Sequence, residues 1–139
     1  MNSPLTPFRI GSVTRIETVL TANGITGDRV FVDPEDGQAL PYVEIKFATL
    51  TRRESKDNNF TEATMTFNAW ADSRTGAELV ADYVLEAMTD DSNLVSVTGF
   101  SVSENRLDFI GPASVEENEG GNDNLYAVPV RVRYRFIAD

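Results

Sequence analysis

Carboxylates are the only side chains here numerous enough to suggest chemistry: twenty-two Asp and Glu stand against twelve Lys and Arg, with no histidine and no cysteine. Adjacent pairs occur at Glu116–Glu117 and Asp90–Asp91. General acid work needs one member of such a pair held protonated by burial or by its neighbour's charge, and both pairs lie in polar segments that offer neither. The missing histidine removes the commonest general base and zinc ligand and every Ser-His-Asp triad. The missing cysteine removes disulfides, thiolate metal sites and thiol nucleophiles. Residues 116–124 gather carboxylates and amides, hard oxygen ligands for a cation, but without the Asp-x-Asp-x-Asp-Gly spacing of a calcium loop. The plain reading of this loop is a solvated hairpin tip, and a second is a segment that orders against a partner subunit. No Gly-x-x-x-x-Gly-Lys occurs, and Gly120-Gly121 precedes a strand rather than a helix, so no phosphate cradle is expected. The expectation is a protein that is not an enzyme and carries no cofactor and no metal.

Charge of the other sign is concentrated at Arg131, Arg133 and Arg135, which recur at every second residue. On a strand that spacing puts all three on one face, with Val128, Val130, Val132, Tyr134 and Phe136 on the other. The arginines then pair with outward carboxylates on adjacent strands, such as Glu62 or Glu44, or form an intersubunit stripe that meets a neighbour's acidic loops, with DNA contact third given the overall charge. Trp70 shares the outward parity of its own strand. It either covers the sheet end beside the second helix or anchors an interface, where tryptophan is over-represented. Packing is the simpler role.

The elements that must position these residues follow from periodicity. Thr6-Pro7 reads as a helix entry, and Ile10, Val13, Ile16 and Leu20 as an apolar stripe, giving a helix over 7–22 that Asn23-Gly24 ends. A short strand at 29–32 precedes the turn formers of 33–37. Residues 42–50 alternate, with Val43, Ile45 and Phe47 on one face, and 60–71 alternate with Ala63, Met65, Phe67 and Ala69 inward. The two make a long antiparallel hairpin with an exposed tip at 51–59. Thr75 and Glu78 stand in capping-box spacing ahead of a stripe of Ala77, Val80, Ala81, Val84, Leu85 and Met88. Strands are expected at 94–102 and 106–115, split by Ser103-Glu104-Asn105, and at 125–137. Pro112 suggests an edge or a bulge. The fold class is α+β: a mostly antiparallel sheet with long hairpins and two amphipathic helices packed on one face.

Composition sets the outer limits. Apolar content of 41% and charged content of 24% in 139 residues indicate one globular domain, 1–139. A net charge of −10 argues against binding a phosphate backbone. No run is long and apolar enough to span a bilayer, and the first residues lack a signal peptide's basic start and apolar centre, so a cytoplasmic origin and no membrane partner are expected.

The order of these elements resembles the tail-terminator, or tail-completion, proteins of tailed phages and gene-transfer agents. Leu40-Pro41-Tyr42-Val43-Glu44-Ile45 is similar to that family's entry into its first long strand, and Asn68-Ala69-Trp70-Ala71 to the strand end before its main helix. Asn105-Arg106-Leu107 and Val130-Arg131-Val132-Arg133-Tyr134-Arg135-Phe136 resemble its last two strands. The likeness covers 29–138, with the first helix also in place. The chain departs from the family in an Arg/Lys-poor main helix and in its acidic loops.

The resemblance implies a structural virion protein of the tail or neck, assembled in the host cytoplasm. It implies a hexameric ring of identical copies that caps the tail tube protein, stops its polymerisation and joins it to a head-completion or neck protein. DNA would pass through the ring without specific binding. On that basis Arg131, Arg133, Arg135, Trp70, Arg52 and Arg53 are candidates for the subunit interface. Glu116, Glu117, Glu119, Asp123, Glu54 and Asp57 are candidates for acidic loops facing the lumen. Two other readings are a head-tail stopper or other neck protein and, from a different class, a small host protein-binding module.

Overall fold

A computed structural model describes residues 4–34, 38–54, 59–90, 95–117 and 124–138. The elements run α1 (Leu5–Ala22), β1 (Val30–Phe31), β2 (Tyr42–Glu54), β3 (Asn59–Ala71), α2 (Arg74–Thr89), β4 (Phe100–Ile110), β5 (Ser114–Glu117) and β6 (Asn124–Ala138). The strands form one sheet in the order β1-β2-β3-β6-β4, with β5 also paired to β6. Among the described residues only the β1–β2 contact is parallel. The architecture is the expected α+β arrangement.

The centre of the sheet is the β3–β6 pair. Ala63, Met65, Phe67 and Ala69 face Tyr134, Val132, Val130 and Val128 across it, and all eight are buried. Against this face α2 lays Ala77, Val80, Ala81, Val84, Ala87 and Met88. The Tyr134 hydroxyl donates to the Met88 carbonyl, satisfying a group in the last helical turn that has no partner within the helix. α1 joins the same layer through Phe8, whose ring lies 4.7 Å from that of Tyr134 and 5.1 Å from that of Phe136. Arg15 of α1 reaches Asp90, the residue capping the end of α2, at 3.3 Å. The helices therefore share one face of the sheet and are tied to each other.

Several local expectations are corrected. α1 begins at Leu5 behind Pro4, with no side-chain cap, so Thr6 and Pro7 lie inside the first turn. Its buried face is Phe8, Ser12, Ile16, Val19 and Leu20, while Ile10 is 58% exposed. The apolar stripe misses this phase because Ser12 counts as polar in sequence, yet it is buried with its hydroxyl donating to the Phe8 carbonyl at 2.7 Å. The α2 cap is Ser73, not Thr75: Ser73 is extended, and its hydroxyl accepts from the Gly76 N–H at 3.0 Å. The end of α1 is as expected. Gly24 takes φ +86° and the N–H groups of Gly24 and Ile25 bond the carbonyls of Thr21 and Leu20, which closes the helix.

In β2 a bulge between Ile45 and Phe47 shifts the alternation, so that Ala48 opposes Met65 and packs on the core. β4 runs unbroken through Ser103–Asn105, which was expected to separate two strands, and absorbs the irregularity in bulges at Val102/Glu104 and Leu107/Phe109. Residues 95–99, expected to be strand, are not. Val95 and Val97 are buried there, and Gly99 (φ +86°) turns the chain into β4.

Gly11 marks where this segment meets α1. A Cβ at Gly11 would sit 2.1 Å from the Ser96 carbonyl oxygen and 3.0 Å from Val95 Cγ1. Helix propensity alone would make Gly11→Ala stabilising by about 1 kcal/mol. The clash with backbone predicts the opposite sign, a loss of about 1–3 kcal/mol in a denaturant titration. A gain would show that the close approach is not a constraint.

Candidate functional site

The sheet face turned away from the helices carries the charged residues singled out from sequence, and β6 places them. Arg131, Arg133 and Arg135 alternate with its buried row and so project together. Arg133 lies between two carboxylates, Asp108 at 3.1 Å and Glu62 at 3.4 Å. Asp108 also accepts from Arg131 Nε at 2.9 Å, so one carboxylate bridges two arginines. Glu104 holds Arg135 at 3.5 Å and Arg106 at 3.9 Å. Two rings complete the row: the Arg135 guanidinium stands 4.3 Å over Phe60 and that of Arg131 5.5 Å over Phe109. The stripe is thus a ladder of opposite charges and aromatic faces across β3, β6 and β4. Pairing with Glu62 follows the sequence expectation, whereas pairing with Glu44 does not occur.

Glu44 serves Trp70 instead. The Trp70 indole N–H donates to Glu44 Oε1 at 3.1 Å. Trp70 is 9% exposed and its ring lies near-parallel to Tyr42 at 6.2 Å, with Phe31 edge-on to Tyr42. Trp70 therefore packs in an aromatic row at the β1–β2–β3 end of the sheet, on the face opposite the main core. Arg29 secures the approach to it. Its guanidinium donates to the Thr26 carbonyl at 2.9 Å and the Pro41 carbonyl at 3.3 Å, with longer contacts of 3.5 Å to Ala39 and Leu40. The segment Leu40-Pro41-Tyr42 thus reaches β2 tied to the chain before β1.

Arg52, Arg53 and Glu54 fall in the distal half of β2, and Glu116 and Glu117 in β5; of these only the backbone is described. Asp57, Glu119 and Asp123 lie outside the described residues. The residues that sequence reading missed are Asp108, Glu104 and Arg29. Asp108 sits at the Leu107/Phe109 bulge, where strict alternation fails, so no periodic signal could have assigned it to the arginine face. Elsewhere, burial and then the charge of Asp28 raise the Glu17 carboxyl above its usual range, on α1 and remote from this face. Among the described residues no cluster of three or more Asp and Glu is placed to hold a metal ion. No helix among them is long and apolar enough to cross a membrane.

Removing Asp108 leaves Arg131 and half of Arg133 unmatched. The pairs are partly solvated, so Asp108→Ala should lower stability by about 1 kcal/mol or less at low salt, and the loss should shrink as salt is added. A loss unaffected by salt would mean that Asp108 acts through packing rather than charge.

The sequence model for tail completion protein gp17 matches residues 15–136. A solved chain of a native gene transfer agent virion has a similar fold, with a TM-score of 0.61 over 89% of this chain and 88% of that one, at 16% identity. No curated protein matches the sequence.

Proposed function

The chain belongs to the tail completion protein gp17 family, and from that premise we propose that it is a tail terminator, a ring of identical copies that caps the tail tube, stops its growth and joins it to the head or neck. The observation that carries the proposal is the family match over nearly the whole chain. The gene transfer agent chain of similar fold supports it, since that chain is part of a virion. The work asked of the protein is mechanical. A ring of one subunit type needs a heterologous interface whose rotation closes, and a stiff two-layer scaffold can hold such an interface in place. The ring has six copies in this reading, is assembled in the host cytoplasm and stays in the virion between tube and neck.

The arginine ladder adds to this. Arg131 and Arg135 keep 45% and 40% of their side chains exposed after pairing within the chain. With Arg52 and Arg53, we assign them to contact with a neighbour's acidic loops. The acidic loops have a second role. Six copies at −10 each carry about −60, and we place Glu116, Glu117, Glu119 and Asp123, with Glu54 and Asp57, around the pore. A wall of like charge repels the duplex and lets it slide without sticking.

Two outcomes test these roles. Deleting the gene in a producing phage or transfer agent should give tails of uncontrolled length unattached to filled heads, scored by electron microscopy. Tails of normal length that are merely unjoined would assign a stopper or neck role instead. Neutralising the pore loop with Glu116→Gln, Glu117→Gln, Glu119→Gln and Asp123→Asn should leave particles intact but slow DNA ejection severalfold; normal ejection would remove these loops from the lumen.

A further inference from the structure

The sheet ends in two open edges, and the two match each other. β2 is thirteen residues long, yet β1 covers it only at Val43 and Glu44. From Lys46 to Glu54 its outer edge has no strand beside it among the described residues. At the other end, Glu104–Ile110 of β4 and Ser114–Glu117 of β5 pair only with β6. Such edges present rows of backbone N–H and C=O groups that template further pairing, and proteins usually shorten or cover them. Here each runs for more than a few residues.

Three features make the edges complementary. The first is polarity. β3 is antiparallel to β2, β6 to β3, and β4 and β5 to β6, so the β4–β5 edge runs antiparallel to β2. Laid side by side around an axis along the strands, two copies bring these edges together as an antiparallel ladder, which forms the more favourable bonds. The second is facing. Leu50 opposes Ala63 in the register, Leu107 opposes Val132, Ile110 opposes Val130 and Val115 opposes Tyr126. All four are therefore on the helix side of the sheet. They are nonetheless 37–45% exposed, beyond the cover of the helices. An edge-to-edge join keeps that side common to both copies, and the register brings Leu50 of one copy within one same-face row of Leu107 of the next. The third is charge. The open half of β2 contains Lys46, Arg52, Arg53 and Glu54, a net positive stretch, whereas the part of β4 level with it across β3 and β6 contains Glu104, Arg106 and Asp108, a net negative one. In a chain of net charge −10, opposite signs at the two edges offset the repulsion between copies.

We infer that the open half of β2 in one copy receives the β4 edge of the next, so that the ring is a continuous antiparallel sheet closed by strand addition between copies. This join presupposes the ring proposed above and names the surfaces that build it. It is heterologous, since every copy offers one edge of each kind, and it therefore propagates around an axis until it closes.

The absence of cysteine from the chain gives a clean test. Thr49→Cys, Leu50→Cys or Thr51→Cys is combined in turn with Glu104→Cys, Asn105→Cys or Leu107→Cys in the full chain, assembled on tail tubes and oxidised. At least one combination should give a disulfide ladder of linked copies on non-reducing gels, which no single substitution produces. If the wild-type chain forms rings on the tubes and no combination cross-links above the single variants, the join is wrong and the ring stands. If the wild-type chain forms no ring there, the terminator reading fails with it. A paired variant, Leu50→Lys with Leu107→Lys, separates a further case. It should abolish the ring, whereas rings that persist but release the tube would assign these edges to the tube protein.

Discussion

The alternation along β6 is the constraint from which the rest of the molecule follows. One row, Val128 to Phe136, is buried, and the residues between carry Arg131, Arg133 and Arg135. A strand presents alternate side chains to opposite faces, so a slip of one residue against β3 or β4 would drive three guanidinium groups into the core. That prospect fixes the register on both sides of β6 at once. It places Glu62 beside Arg133 on one flank and Asp108 and Glu104 beside the arginines on the other. Core and ladder are two consequences of the same pattern.

The helices are then attached where β6 offers them a hold. Tyr134 binds the end of α2 through Met88, and its ring with that of Phe136 receives Phe8 of α1. Arg15 and Asp90 connect the helices directly. The result is a layer of helix over the middle of the sheet, with the sheet's outer strands reaching past it. Uncovered apolar residues on β2, β4 and β5 lie in that overhang.

Sequence made β3, β6 and α2 legible because each sets an apolar row against a polar one over several periods with no interruption. The inward residues of β3 and β6 are those the alternation predicts. Legibility fails where one residue breaks phase. The bulge at Ile45/Phe47 moves the inward parity of β2, and the two bulges of β4 make Ser103–Asn105 resemble a turn. Ser12 hides the true face of α1 by satisfying its own hydroxyl within the helix. The arginine face was readable as a face, but its partner Asp108 was not, because it lies at an irregularity. Edge complementarity was not readable at all, since it depends on which strands end the sheet.

Termination acts at the ends of the tail tube, and cryo-electron microscopy of purified tubes mixed with the purified chain examines them most directly. A closed ring at one end of each tube, with no further growth from that end when tube protein is added, is the predicted result. Tubes that keep lengthening with bare ends, or that bind the chain along their sides, would contradict it.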